Sequence, residues 1–302
     1  MRSYAAEPSR AARPGRADHH LGSRALTDTD WVAEHLGDPD VRIMQVDEDP
    51  LLYELGHIPG AAMLRWDHDL QAAGARDVLG AEDFAAIMGR LGIRRDSTVV
   101  VYGDKMNGWA TYAYWVLKYR GHPDVRIMDG GHQKWSREGR PLTAEVPAFA
   151  PAAYLPPTSS PEIRAFTADV IAAVGDRRTA IVDARSEAQY RGAIFPAFSY
   201  PLTGAHRGGH VPGACNVPWT QLTDADSCFR PAAELKDLYT RAGVDLAQPI
   251  LAYCIIGIGS SSTFFVLREL LGVAQVRNYD GSWMEWGSTM RLPVECGPGT
   301  HL

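Results

Sequence analysis

The chain repeats itself, and the repeat limits what it can fold into. Gly56-His57-Ile58-Pro59-Gly60-Ala61 returns as Gly209-His210-Val211-Pro212-Gly213-Ala214. The surroundings repeat as well. An apolar run ending in Val-Asp precedes each copy, at residues 43–47 and 180–183. A helical segment follows, then a continuous apolar run, 98–102 in one half and 250–253 in the other. Helical spacing over 110–119 and 263–271 comes next, then a further strand pattern at 125–128 and 276–279. Turns at Asp129-Gly130-Gly131 and Asp280-Gly281-Ser282 lead to Trp135 and Trp283. Short, uninterrupted apolar runs alternating with helical periods predict strands covered on both faces. The expected fold class is α/β: two tandem units, each a mostly parallel sheet with helices on both faces.

At 302 residues the chain is long enough for two cores. Residues 141–161 hold six prolines, Pro141, Pro147, Pro151, Pro156, Pro157 and Pro161, and predict an extended linker. The expected organisation is a disordered tail over 1–24, a unit over 25–140, the linker over 141–161, and a second unit over 162–297. A net charge of −6 and a pI near 5.9 argue against nucleic acid as a partner. No apolar run approaches the roughly 20 residues that span a bilayer. Cys215, Cys228, Cys254 and Cys296 show neither a C-x-x-C spacing nor a disulfide framework. A cytoplasmic location, no metal and no cofactor are expected, and a monomer is expected.

The copies differ at one telling place. Aligned on Tyr102 and Tyr253, Gly103 of the first unit stands where the second has Cys254. Ile255-Ile256-Gly257-Ile258-Gly259-Ser260 then leads from the strand into the helical pattern. Two glycines allow the chain to curl so that backbone N–H groups face the sulfur and an anion beside it. Such a setting favours a thiolate nucleophile. A buried structural cysteine is the alternative, since unpaired Cys is among the most buried residue types. The presence of the thiol in one copy alone, beyond the carboxyl end of a strand, favours catalysis.

From about Asp30 to Glu295 the chain resembles the rhodanese family of sulfurtransferases, in its two-domain form with an inactive first domain. The resemblance rests on the paired Gly-His-x-Pro-Gly-Ala segments, Val182-Asp183-Ala184-Arg185, Tyr253-Cys254 with its loop, and Asn278-Tyr279-Asp280-Gly281-Ser282-Trp283. It implies that Cys254 takes a sulfane sulfur from thiosulfate, becomes a persulfide and passes the sulfur to a thiophilic acceptor. The partners so implied are a small anionic sulfur donor and an acceptor such as cyanide or a thiol. Ile255, Ile256, Gly257, Ile258, Gly259 and Ser260 would supply the amides around the anionic sulfur. Arg185, with Asp183 beside it, matches a family position that reaches the donor's anionic end. A salt bridge to Asp183 or Glu187 is the other reading of that arginine. The loop departs from the family, because apolar Ile255, Ile256 and Ile258 and bare Gly259 occupy places where basic or hydroxyl residues are common. A mercaptopyruvate or other persulfide donor, or a weakly active sulfur-carrier or binding module, therefore stands as the alternative.

His57 and His210 occur in both copies, which favours a structural role in the turn. Asp47 and Asp183 share that ambiguity, with Asp183 nearer the presumed cleft. Trp283 is expected either as a pocket wall or, more commonly for Trp, in the core. Cys215, Cys228 and Cys296 are expected to be bystanders. Phosphatase chemistry is disfavoured, because Ser260 stands six residues after Cys254 where an arginine would be required.

Overall fold

The computed structural model describes residues 23–156, 158–176, 178–194 and 205–297. The tail expected over 1–24 lies, up to residue 22, outside the described residues. The first unit runs β1 (Leu26–Thr27), α1 (Thr29–Glu34), β2 (Val41–Gln45), α2 (Leu51–Leu55), β3 (Ala62–Met63), α3 (Ala81–Arg90), β4 (Thr98–Tyr102), α4 (Gly108–Tyr119), β5 (Val125–Met128) and α5 (Gly131–Arg137). The second runs α6 (Thr167–Asp176), β6 (Ala180–Asp183), α7 (Glu187–Tyr190), β7 (Cys215–Asn216), α8 (Ala232–Arg241), β8 (Ile250–Tyr253), α9 (Ile258–Phe265), β9 (Val276–Asn278) and α10 (Ser282–Trp286). All pairings within the two sheets are parallel, in the orders β1-β5-β4-β2-β3 and β7-β6-β8-β9.

The long strands are those legible as apolar runs. Val99, Val100, Val101 and Tyr102 are all fully buried, as are Ile250 to Tyr253. β-branched residues suit a strand covered on both faces. Alternation divides them between layers. Val99 and Val101 pack toward α3 and α4, whereas Val100 and Tyr102 pack toward Val32 of α1 and Trp135 of α5. In the second unit Val182 and Ile250 face α8 and α9, and Ile181, Leu251 and Tyr253 face α6 and α10. The edge strands β1, β3 and β7 have two residues each, too short for a sequence period to reveal.

The layer carrying α3 and α4 and the layer carrying α8 and α9 belong to one hydrophobic core. Helices α4 and α9 meet along their length, with Tyr114 edge-on to Phe265 at 4.9 Å. At the crossing the Thr111 and Ser262 hydroxyls, which occupy equivalent places in the two units, lie 2.8 Å apart. The proline-rich stretch is not detached from this core. Ala152 N–H donates to Gly89 O at 2.9 Å, and Tyr154 is buried against Phe84 and His122.

A second lock is ionic. Arg164, 8 % exposed, donates from Nε and Nη2 to the two Asp280 oxygens, each at 2.9 Å. Its Nη2 also lies 2.6 Å from Asp77 of the first unit. Burial alone would lower the pKa of this guanidinium, but Asp280 and Asp77 outweigh it and raise it. Removing one partner of a buried pair strands the other charge. Arg164→Met should therefore destabilise the chain by about 3 kcal/mol. Urea unfolding tests this, and an unchanged midpoint would deny the pair its role.

Candidate active site

Cys254 follows the last residue of β8 directly, and its side chain is buried, with 4 % of the residue exposed. The loop after it is shaped by what its carbonyls touch. Cys254 O accepts from Trp283 N at 2.9 Å and Ile255 O from Met284 N at 3.0 Å. Ile256 O accepts from Arg76 Nη2, and Gly257 O from Ser261 Oγ at 2.7 Å. Successive carbonyls are thus engaged by side chains and helix ends around the loop. In a trans peptide the N–H points opposite to its C=O, so such anchoring fixes where the amides face. The Gly257 N–H reaches Cys254 Sγ at 3.1 Å.

Gly257 is required for this curl. Its φ is +91°, and a Cβ there would lie 2.9 Å from Asp280 Cα. It caps α9, which begins at Ile258 rather than at Thr263 where the apolar period suggested. Gly and Ser favour helix weakly, so tertiary bonds decide its start. Ser260 Oγ donates to Asn278 Oδ1 at 2.7 Å, and Asn278 Nδ2 donates to Ser261 Oγ at 2.9 Å. The Ser260 hydroxyl is therefore committed to β9. Gly259 has a different reason. A Cβ there would fall 2.6 Å from Trp219, whose ring also closes on Gly108 of the first unit. Ile255 and Ile256 are half-buried, and Ile258 is buried.

A family model described as a Rhodanese-like domain matches residues 28–138 and 167–289. The chain belongs to the rhodanese family. The sulfur carrier protein TtuD of Thermus thermophilus is 50% identical over 275 residues, covering 90% of this chain and 96% of that one. A Mycobacterium tuberculosis protein named "Putative thiosulfate sulfurtransferase SseA" is 44% identical over 273 residues, covering 90% and 91%. The crystal structure of SseA from Escherichia coli, from work on 3-mercaptopyruvate sulfotransferases, superposes with a TM-score of 0.73 at 28% identity, covering 86% of this chain and 98% of that one. The family is one of sulfurtransferases, and the repeat is a pair of rhodanese-like domains.

Within this rhodanese pair, Arg185 is held in a buried ion pair with Asp183. Its side chain is 1% exposed, and Nε and Nη2 bond Asp183 at 3.0 and 2.5 Å. Nη2 also donates to Gly209 O at 2.7 Å, and the guanidinium lies 4.3 Å from the Trp283 ring centroid. Burial would lower the pKa of Arg185, but Asp183 and Tyr253 outweigh it and raise it. Asp183, fully buried, also accepts from Tyr253 OH at 2.6 Å. The pair lies in the floor of the second domain, and the ion pair to Asp183 is present. Trp283 is core, with no exposed surface. His57 and His210 are structural: each stacks on a tyrosine at 3.7 Å and places Nδ1 2.8 Å from that tyrosine's carbonyl. Cys215 lines a cavity of about 410 Å³ beside the starting end of β6, away from Cys254, and burial pushes its thiol pKa up.

Two residues near the sulfur went unassigned in the sequence. Ser282, at φ +54°, accepts the Cys254 N–H at 3.1 Å, and its Oγ lies 4.0 Å from Sγ. Asn278 ties β9 to the loop. Both sit in the quoted Asn-Tyr-Asp-Gly-Ser motif, which was the available signal.

In the first domain the place equivalent to Cys254 is closed. A Cβ on Gly103 would lie 2.1 Å from Val46 O, so no side chain fits there. Asn107 Oδ1 accepts the Gly103 N–H at 2.9 Å, filling the space from within. Asp49 stands where the second domain has Arg185, leaving Asp47 without that cation. Burial pushes the Asp47 pKa up to about 6, against the opposing bond from Gln45. A carboxyl held above its ordinary 3.8 binds its proton more tightly when folded. Its stabilisation is full below about 4 and is lost as pH rises through about 6. Asp47→Asn, which cannot ionise, should flatten the fall in melting temperature between these values. An unaltered slope would show that Asp47 does not titrate there.

Proposed function

We propose that Cys254 carries sulfur as a persulfide, with thiosulfate the first donor to test. The Cys254 thiolate attacks the outer sulfur of thiosulfate, a new S–S bond forms, and sulfite leaves with the electron pair of the broken one. An acceptor, cyanide or a thiolate, then attacks the outer persulfide sulfur and restores the cysteine thiolate. The covalent intermediate divides one transfer into two easier displacements. The single observation carrying this reading is the Gly257 amide aimed at Cys254 Sγ in a loop whose carbonyls are tied back. That arrangement supplies fixed dipoles to an anionic sulfur without reorganisation. Ile255, Ile256, Ile258 and Gly259 contribute backbone and an apolar wall.

A second reading is a sulfur carrier that accepts persulfides of lower charge, including mercaptopyruvate-derived sulfur. It is favoured by the loop, which holds no cationic side chain of its own, by the engagement of Arg185 with Asp183, and by the carrier name of the Thermus relative. Mass spectrometry after exposure to thiosulfate, mercaptopyruvate or a low-molecular-weight persulfide separates the two readings. One added sulfur is expected on the Cys254 peptide and none in Cys254→Ser, whereas Cys228→Ser should load normally. Loading by the persulfide alone would favour the carrier, and no loading by any donor would end both readings.

Adding charge tests the loop directly. Ile255→Arg places a cation beside the sulfur on a half-buried, accommodating position. Thiosulfate kcat/KM should rise about tenfold, equivalent to about 1.4 kcal/mol of transition-state stabilisation. No rise would mean that loop charge does not limit thiosulfate use.

A further inference from the structure

Arg76 lies between β3 and α3, in the domain that has no catalytic cysteine. Its guanidinium nevertheless bonds the loop of the other domain. Nη2 donates to Ile256 O, and to Asp280 O at 3.1 Å. The Ile256–Gly257 peptide is the one whose N–H donates to Cys254 Sγ. Its two ends point in opposite directions, so holding the oxygen aims the hydrogen at the sulfur. A cation on the oxygen also draws electron density through the amide and strengthens the N–H as a donor.

The surroundings keep Arg76 on those carbonyls. Asp280, from the turn after β9, and neighbouring Asp77 both pair with Arg164, with Tyr112 of α4 and Arg120 the other titratable groups nearby. The carboxylates that could compete for Arg76 are therefore already engaged. The loop from Ile255 to Ser260 carries no charged side chain. The positive charge there arrives from outside, through a peptide bond.

We infer that Arg76 is a positioning residue for the sulfur chemistry: the cysteine-less domain supplies the cation that aims and polarises the Gly257 amide. This rests on Cys254 being the nucleophile, so the test uses no sulfur donor. The whole chain is alkylated with iodoacetamide across pH, and modification of the Cys254 peptide is followed by mass spectrometry. Arg76→Ala should move the rate profile to higher pH by about one unit, about tenfold slower below the midpoint. Arg76→Gln, which keeps an N–H donor on a shorter side chain without the charge, should fold and shift the profile the same way. Asp77→Asn breaks the neighbouring ion pair without touching Arg76, and should lower the melting temperature while leaving the profile in place. An unmoved profile in either Arg76 variant overturns the inference. So does an equal shift in Asp77→Asn, which would make the effect one of domain docking. A parent Cys254 that resists alkylation throughout would instead remove the nucleophile itself.

Discussion

The sulfur site depends on the direction of four backbone carbonyls. Between Cys254 and Gly257 each is held by a donor outside the curl: two amides of α10, the Arg76 guanidinium and the Ser261 hydroxyl. Since each peptide is a rigid plane, fixing an oxygen fixes the opposing hydrogen. One glycine at φ +91° lets the chain make the curl. The loop needs no charged side chain to present dipoles to an anion, and this one has none. Its electrostatics belong to the backbone, and the backbone is held by neighbours.

Those neighbours come from both halves of the molecule. The layer joining α4 to α9 is shared core, so the two domains cannot be separated without exposing it. The ring of Trp219 closes on Gly108 and Gly259, one glycine from each half. Arg76 and Asp77 extend from the first domain to Ile256, Asp280 and Arg164 of the second. The half with Gly103 in place of Cys254 has a structural hold on the half that carries the cysteine.

The floors of the two units differ in what surrounds a buried aspartate. Asp183 is neutralised by Arg185 and bonded by Tyr253. Asp47 keeps its buried place but is left with Gln45, the Asp104 amide and a raised pKa. The fold is the same in both, yet only the second presents a strand end that admits a cysteine. In the first, Val46 O already occupies the space a Cβ would need.

The sequence by itself determined the doubled architecture, because long β-branched runs such as Thr98–Tyr102 fit only strands covered on both faces. It also determined the asymmetry between Gly103 and Cys254, and it favoured a structural role for His57 and His210, since both copies carry the histidine. The two-residue edge strands β1, β3 and β7 escaped it, because two residues carry no period. The start of α9 escaped it too, because Ser260 and Ser261 are helical through bonds to Asn278 and Gly257 rather than through propensity. Only the tertiary structure could show the contacts of Arg185: one sequence position is consistent with a substrate clamp and with a salt bridge, and the fold brings Asp183 to 2.5 Å. Only the tertiary structure could bring Arg76 to the loop, since contact between residues so far apart is made by packing and leaves no local pattern.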